Sequence, residues 1–110
     1  MPEPPLARFL RSLDPGPADA ELLRRFAESR DQAAFELLVW RHAGMVQATA
    51  FAVLRDRHLA EDAAQATFLA LARRAGSVRA NPSGWLYRTA RRAALHLRRA
   101  AGHGRSRRPA

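Results

Sequence analysis

Apolar side chains recur along this chain at steps of three and four, the spacing that gathers them on one face of an α-helix. Four helices follow from that pattern. Asp19 can N-cap a first helix over ELLRRFAES, whose Leu22, Leu23 and Phe26 share a face. Ser29, with Gln32 three residues on, reads as a capping box for a longer second helix from about Asp31 to Leu54. Its stripe is Phe35, Leu38, Val39, His42, Val46, Thr49 and Val53. Gly44 interrupts it at a cost of about 1 kcal/mol relative to Ala, which points to a close helix contact. The stretch LAEDAAQATFLALARR, residues 59–74, has no Gly or Pro and predicts a third helix. Leu59, Ala63, Ala66 and Ala70, widened by Leu71, are its apolar stripe, while Asp62, Gln65 and Leu69 share a second ridge off it.

After the loop GSVRA, Asn81 and Pro82 form a strong helix start, because Asn accepts first-turn N–H groups and Pro fits the first helical position. The fourth helix, PSGWLYRTARRAALHLRR, is two-faced. Leu86, Ala90, Ala93 and Leu97 line one side; Arg88, Arg91, Arg92 and Arg99 lie opposite, with Leu95 and Arg98 at the margins. Neither a repeat nor a strand-like alternation interrupts the helical pattern. The expected architecture is all-α, a compact bundle of about four helices over residues 19–100. Residues 1–18, with Pro2, Pro4, Pro5, Pro15 and Pro17, are expected to be a flexible arm around one short apolar turn, Leu6 to Leu13. Residues 101–110, AGHGRSRRPA, carry no apolar period and are expected to be a disordered basic tail.

Charge changes the picture more than composition does. All 19 basic residues are Arg against 10 acids. Arg in place of Lys, together with abundant Ala, fits a genome of high G+C content and says nothing about mechanism. Through Asp62 the chain has a net charge of −2; from Ala63 onward it has 11 Arg and no acid. A basic half of this kind faces a polyanion, because each neutralised phosphate releases condensed counterions. With 110 residues the chain makes one domain with a modest core, and without Cys it has no disulfide, thiolate site or cysteine nucleophile. His42 stands alone on an apolar face with no second His at metal-ligand spacing, so neither a metal nor a cofactor is expected. Glu61 and Asp62 point about 100° apart on their helix and cannot converge on one substrate. With no Gly-rich phosphate loop or catalytic constellation either, an enzyme is not expected. No apolar run approaches the ~20 residues of a membrane span, and the N-terminus lacks a signal-peptide core, so the expected location is the cytoplasm.

The order DAELLRRF, DQAAFELLVWRHAGMV, AEDAAQATFLALAR, then a loop and NPSGWLYRTAR, resembles region 2 of the sigma-70 family of bacterial RNA polymerase initiation factors. The likeness is to the small extracytoplasmic-function group and covers roughly Asp19 to Arg99. Its most specific piece is Glu61-Asp62, Gln65 and Phe68, similar to the family's D-x-x-Q-x-x-F core and followed across a short loop by WLYR. The resemblance implies that this helix docks on the clamp helices of the polymerase β′ subunit, with Glu61, Asp62, Gln65, Phe68 and Leu69 in the contact. Asp suits a partner Arg through charge-assisted hydrogen bonds, and Gln both donates and accepts. Phe68 reads equally as a core residue.

The resemblance further implies that the loop and the fourth helix recognise the promoter minus-ten element and hold its separated non-template strand. Ser77, Arg79, Asn81, Trp85, Tyr87, Arg88, Arg91, Arg92, His96 and Arg99 are the candidates. An unstacked strand needs planar surfaces, worth roughly 1–3 kcal/mol per base, and cations along its backbone. Trp85 and Tyr87 offer the first and the arginines the second; the loop from Ser77 to Ser83 is the candidate pocket for flipped bases. Trp85 reads equally as an anchor at the helix start. Many members carry Asn at the place of Arg92 and Asp at that of His96, so the changes raise the basic charge of this helix and the resemblance does not fix the promoter preference. The family normally adds a region 4 helix-turn-helix, which is expected to be absent from this chain. An anti-sigma factor is a further implied partner. Two other readings stand beside this one: a non-specific Arg-rich nucleic-acid binder, and a decoy that occupies polymerase or an anti-sigma factor without initiating transcription.

Overall fold

The computed structural model describes residues 16–78 and 81–107, with side chains as far as Gly102. The Leu6–Leu13 turn and Arg79 lie outside the described residues. The described chain forms four helices: α1 (Asp19–Ser29), α2 (Gln32–Leu54), α3 (Arg57–Arg74) and α4 (Pro82–Arg107). No strand occurs among these residues. α2 packs against all three others, and α3 and α4 also pack on each other, so the fold is the expected all-α bundle.

The helix starts differ from expectation in which side chain caps. Ala18, extended at φ −64°, is the N-cap of α1 and offers no side-chain bond. Asp19 is instead drawn across to α2: its Oδ1 accepts from Arg41 Nη1 at 3.0 Å, and its Oδ2 lies 2.7 Å from Nε2 of the buried His42. Two partners on a packed neighbour outcompete one local N–H. The Ser29–Gln32 capping box does not form. Ser29 ends α1 and donates back to the Arg25 carbonyl, while Asp31 caps α2 by accepting from Ala34 N–H at 3.2 Å. Asp56 does the same for α3 through Leu59 N–H, so that helix starts two residues before the predicted Leu59. On exposed α1, hydrogen bonds from Arg24 and then Arg25 hold the Glu21 carboxyl below the usual carboxylate range, and Glu21 raises Arg24 in turn.

Short links hold the helices close. Arg30 and Arg55 each end a helix in the left-handed region, at φ 54° and 53°, a position more often given to Gly. Arg30 gains compensation: its guanidinium lies 4.0 Å over the Phe26 ring and its Nη1 donates to the Ala72 carbonyl in the last turn of α3, a favoured place for a cation.

The core has a thick end and a thin end. Leu22, Leu23, Phe26, Leu38, Val46, Leu71 and Leu86 fill the first, where α1 joins; Ala50, Ala60, Ala63 and Ala94 make the second. The buried stripe of α3 is Ala60, Ala63, Ala64, Thr67 and Leu71, not the predicted Leu59–Ala63–Ala66–Ala70. Ala66 is exposed. α3 is wedged between α2 and α4, which turns its inner face toward Thr67, whose hydroxyl is satisfied by the Ala63 carbonyl at 2.7 Å. Gly44 marks no close contact, since an added Cβ would meet nothing within 4 Å. α4 runs on to Arg107, past the point where the apolar period stops, because extending a formed helix adds a backbone bond per residue. α2 is, against expectation, long and apolar enough to cross a membrane by length and composition. Its Ala34, Leu38, His42, Val46 and Ala50 are buried against the other helices, although only 17% of its apolar window is buried.

Candidate functional site

Asp62, Gln65 and Leu69 are all exposed, Leu69 to 59%. At 100° per residue they sit about 180° from the buried stripe of α3, so packing holds the helix while leaving the ridge facing solvent. His58, also exposed, falls on the same line one turn before Asp62. The i, i+4 spacing that reveals it is legible in the sequence, but the helix predicted over residues 59–74 begins one residue too late to include it.

The other two ridge candidates turn toward α2. Phe68 is half-buried against the larger core cluster and also lines an open groove of about 380 Å³ with Phe35, Val39, Ala64, Gln65, Leu69 and Ala72. Phe68 thus serves the core and the surface together. Glu61 is exposed in the wall of a neighbouring hollow, with Gly44, Phe51 and Arg57. Phe35 and Val39 were read from the sequence only as stripe residues. Their place in the groove wall depends on how α2 and α3 cross.

The DNA candidates occupy the loop and α4. Asn81 Oδ1 accepts from Ser83 N–H at 3.0 Å and Pro82 is the first helical residue, as predicted. Ser77 closes the turn after α3, its hydroxyl donating to the Arg74 carbonyl, and buried Val78 pins the loop to the core. Arg88, Arg91, Arg92, His96 and Arg99 are exposed, Trp85 is half-buried against the core, and Tyr87 is 47% exposed. They do not form one surface. Trp85, Arg88, Arg92, His96 and Arg99 span an arc of about 80°, whereas Tyr87, Arg91 and Arg98 lie together about 120° away. Trp85 and Tyr87, two residues apart, face nearly opposite ways and cannot build a single stacking platform. Tyr87 and Arg91 instead border a hollow on α2 with Ala48, Thr49, Ala52 and Val53. Among the described residues no group of His, Cys, Asp and Glu could hold a metal ion.

The family model for sigma-70 region 2 matches residues 38–103. The chain belongs to the sigma-70 region 2 family. The matched segment runs from within α2 into α4 and takes in both the α3 ridge and the α4 arginines, while α1 precedes it. Neither the curated proteins nor the solved structures yield a match. As a sigma region 2 domain, the chain has a sigma-factor role in polymerase binding and promoter recognition, in a family that initiates transcription without being an enzyme.

Proposed function

We propose that this sigma region 2 domain binds the β′ clamp helices of bacterial RNA polymerase through Asp62, Gln65 and Leu69. The loop before α4 and the Trp85 flank of α4 hold the separated non-template strand of the minus-ten element. The observation that carries the reading is the placement of an acid, an amide and a large apolar side chain on one line, diametrically opposite the stripe that anchors α3. Leu69 leaves apolar area in water that the core does not use, beside an acid and an amide free to accept and donate hydrogen bonds. The half-buried Trp85 beside Arg88 and Arg92 supplies what an unstacked strand needs: one planar surface and cations along a backbone. The protein acts in the cytoplasm, and an anti-sigma factor would compete for the same ridge.

The test is co-elution with purified core polymerase. Asp62→Arg combined with Gln65→Ala reverses the charge and removes the amide without touching a buried atom. The double variant is expected to lose core binding while keeping its helix content and melting temperature. Undiminished co-elution would remove the ridge from the interface. Wild-type protein that binds core but forms no open complex on a promoter would instead be a decoy.

A further inference from the structure

α2 has two faces poor in charge, and the bundle buries one of them. Ala34, Leu38, His42, Val46 and Ala50 stand on the buried side. On the opposite side Ala33, Glu36, Trp40, Gly44, Gln47 and Phe51 recur at steps of three and four, and all are exposed. A helix apolar all round is normally covered all round. Trp40 is 79% exposed, and between Arg41 and the end of α2 there is no acid or arginine to keep this face in water. Beside Trp40 lies a hollow of about 530 Å³, bordered by Gly44, Ala48 and Phe51 of α2 and by Arg57 and Glu61 of α3. Gly44 occupies mid-helix, a costly place for glycine, yet an added Cβ would meet nothing within 4 Å in the bundle. A glycine in that position lets a backbone approach from outside.

The face is complementary to itself. It carries a protruding indole and, one turn further along, a hollow. Two copies meeting about a two-fold axis can each insert the one into the other. Antiparallel α2 helices crossing at Gly44 place Trp40 opposite the partner's Ala48, each four residues from the axis. The indole then enters the hollow, where the partner's Gln47 and the partner's Glu61 offer acceptors for its N–H. Charge favours the same arrangement. Glu36 lies near one end of the face, Arg55 and Arg57 at the other; all three are exposed, without an ion pair among the described residues. Asp56 between the arginines is already held as the cap of α3. Antiparallel pairing sets Glu36 opposite the partner's Ala52, about 4.5 Å along the axis from the partner's Arg55. Parallel pairing would bring like charges together.

We propose that two copies of this chain pair through the open faces of α2, antiparallel and crossing at Gly44, with each Trp40 seated in the other's hollow. Contact along roughly six helical turns lies at the small end of specific interfaces, so association in the micromolar range is expected. Asp62, Gln65 and Leu69 take no part, and the pairing stands whether or not they bind polymerase.

The experiment is sedimentation of the full chain across the micromolar range, where the mass should rise from 12.2 kDa toward twice that value. Trp40→Ala should weaken self-association roughly tenfold or more. Gly44→Leu should abolish it, while circular-dichroism melting stays unchanged or rises, because the new side chain meets nothing in the bundle. Glu36→Arg and Arg57→Glu should each weaken self-association severalfold, and mixing the two variant chains should restore it, since both pairs across the axis then regain opposite signs. A wild-type chain that stays monomeric throughout would overturn the proposal and assign the face to another occupant. A Gly44→Leu chain that still pairs, or mixed charge variants that associate no better than either alone, would also overturn it.

Discussion

The α3 ridge and the arginine-bearing helix α4 both rise from stripes made largely of alanine, yet they offer recognition in different ways. Asp62, Gln65 and Leu69 form a single line opposite the core of α3, with one charge, one amide and one apolar side chain. α4 presents only cations and aromatics, and they divide between two flanks, Trp85 with Arg88 and Arg92 on one, Tyr87 with Arg91 on the other. A mixed line suits a protein surface, where few contacts must match in kind and place. Cations spread over about a third of a helix suit a polyanion, which rewards each phosphate contact wherever it falls. The contrast separates specificity by chemistry from affinity by charge within one small bundle.

Three measurements would break or sharpen that contrast. The largest effect concerns the support the two surfaces share. Leu71 is fully buried in the larger cluster, and Leu71→Ala should cost about 2–5 kcal/mol in urea unfolding. Measured where the variant is still folded, polymerase affinity per folded molecule should be unchanged; its loss there would mean that ridge and core are not separable. Next comes the Trp85 flank. Trp85→Ala should weaken binding to bubble DNA by roughly 1–3 kcal/mol and to matched duplex far less, by fluorescence anisotropy on protein confirmed to be folded. Equal losses on the two probes would leave a general polyanion binder and remove the strand-holding role. The smallest effect distinguishes the flanks. Arg92→Ala should lower the salt slope for bubble DNA by about one unit, with Arg91→Ala leaving it unchanged. Matching changes would show DNA touching both sides of α4.

The candidate surfaces were legible to different degrees. The α3 ridge was readable because Asp62, Gln65 and Leu69 are one helical line whatever packs behind it. The start of α4 was readable because Asn81 and Pro82 act on their own helix and need nothing from elsewhere. Phe35 and Val39 escaped as groove residues because the groove exists only where α2 crosses α3. Tyr87 was grouped with Trp85 because both are aromatic near a helix start, although their two-residue spacing already separated them.

The sequence by itself determined the number of helices, the −2 and +11 halves, the ridge and the family resemblance, since all rest on local periodicity, composition or residue order. Only the tertiary structure decided which alanines of α3 are buried, because with Ala on nearly every side its inner face is chosen by the helices on either flank. It also decided that Asp31 rather than Ser29 caps α2 and that Asp19 serves Arg41 and His42 instead of its own helix. A carboxylate takes the better partners within reach, and reach across 22 or 23 residues is a property of the fold.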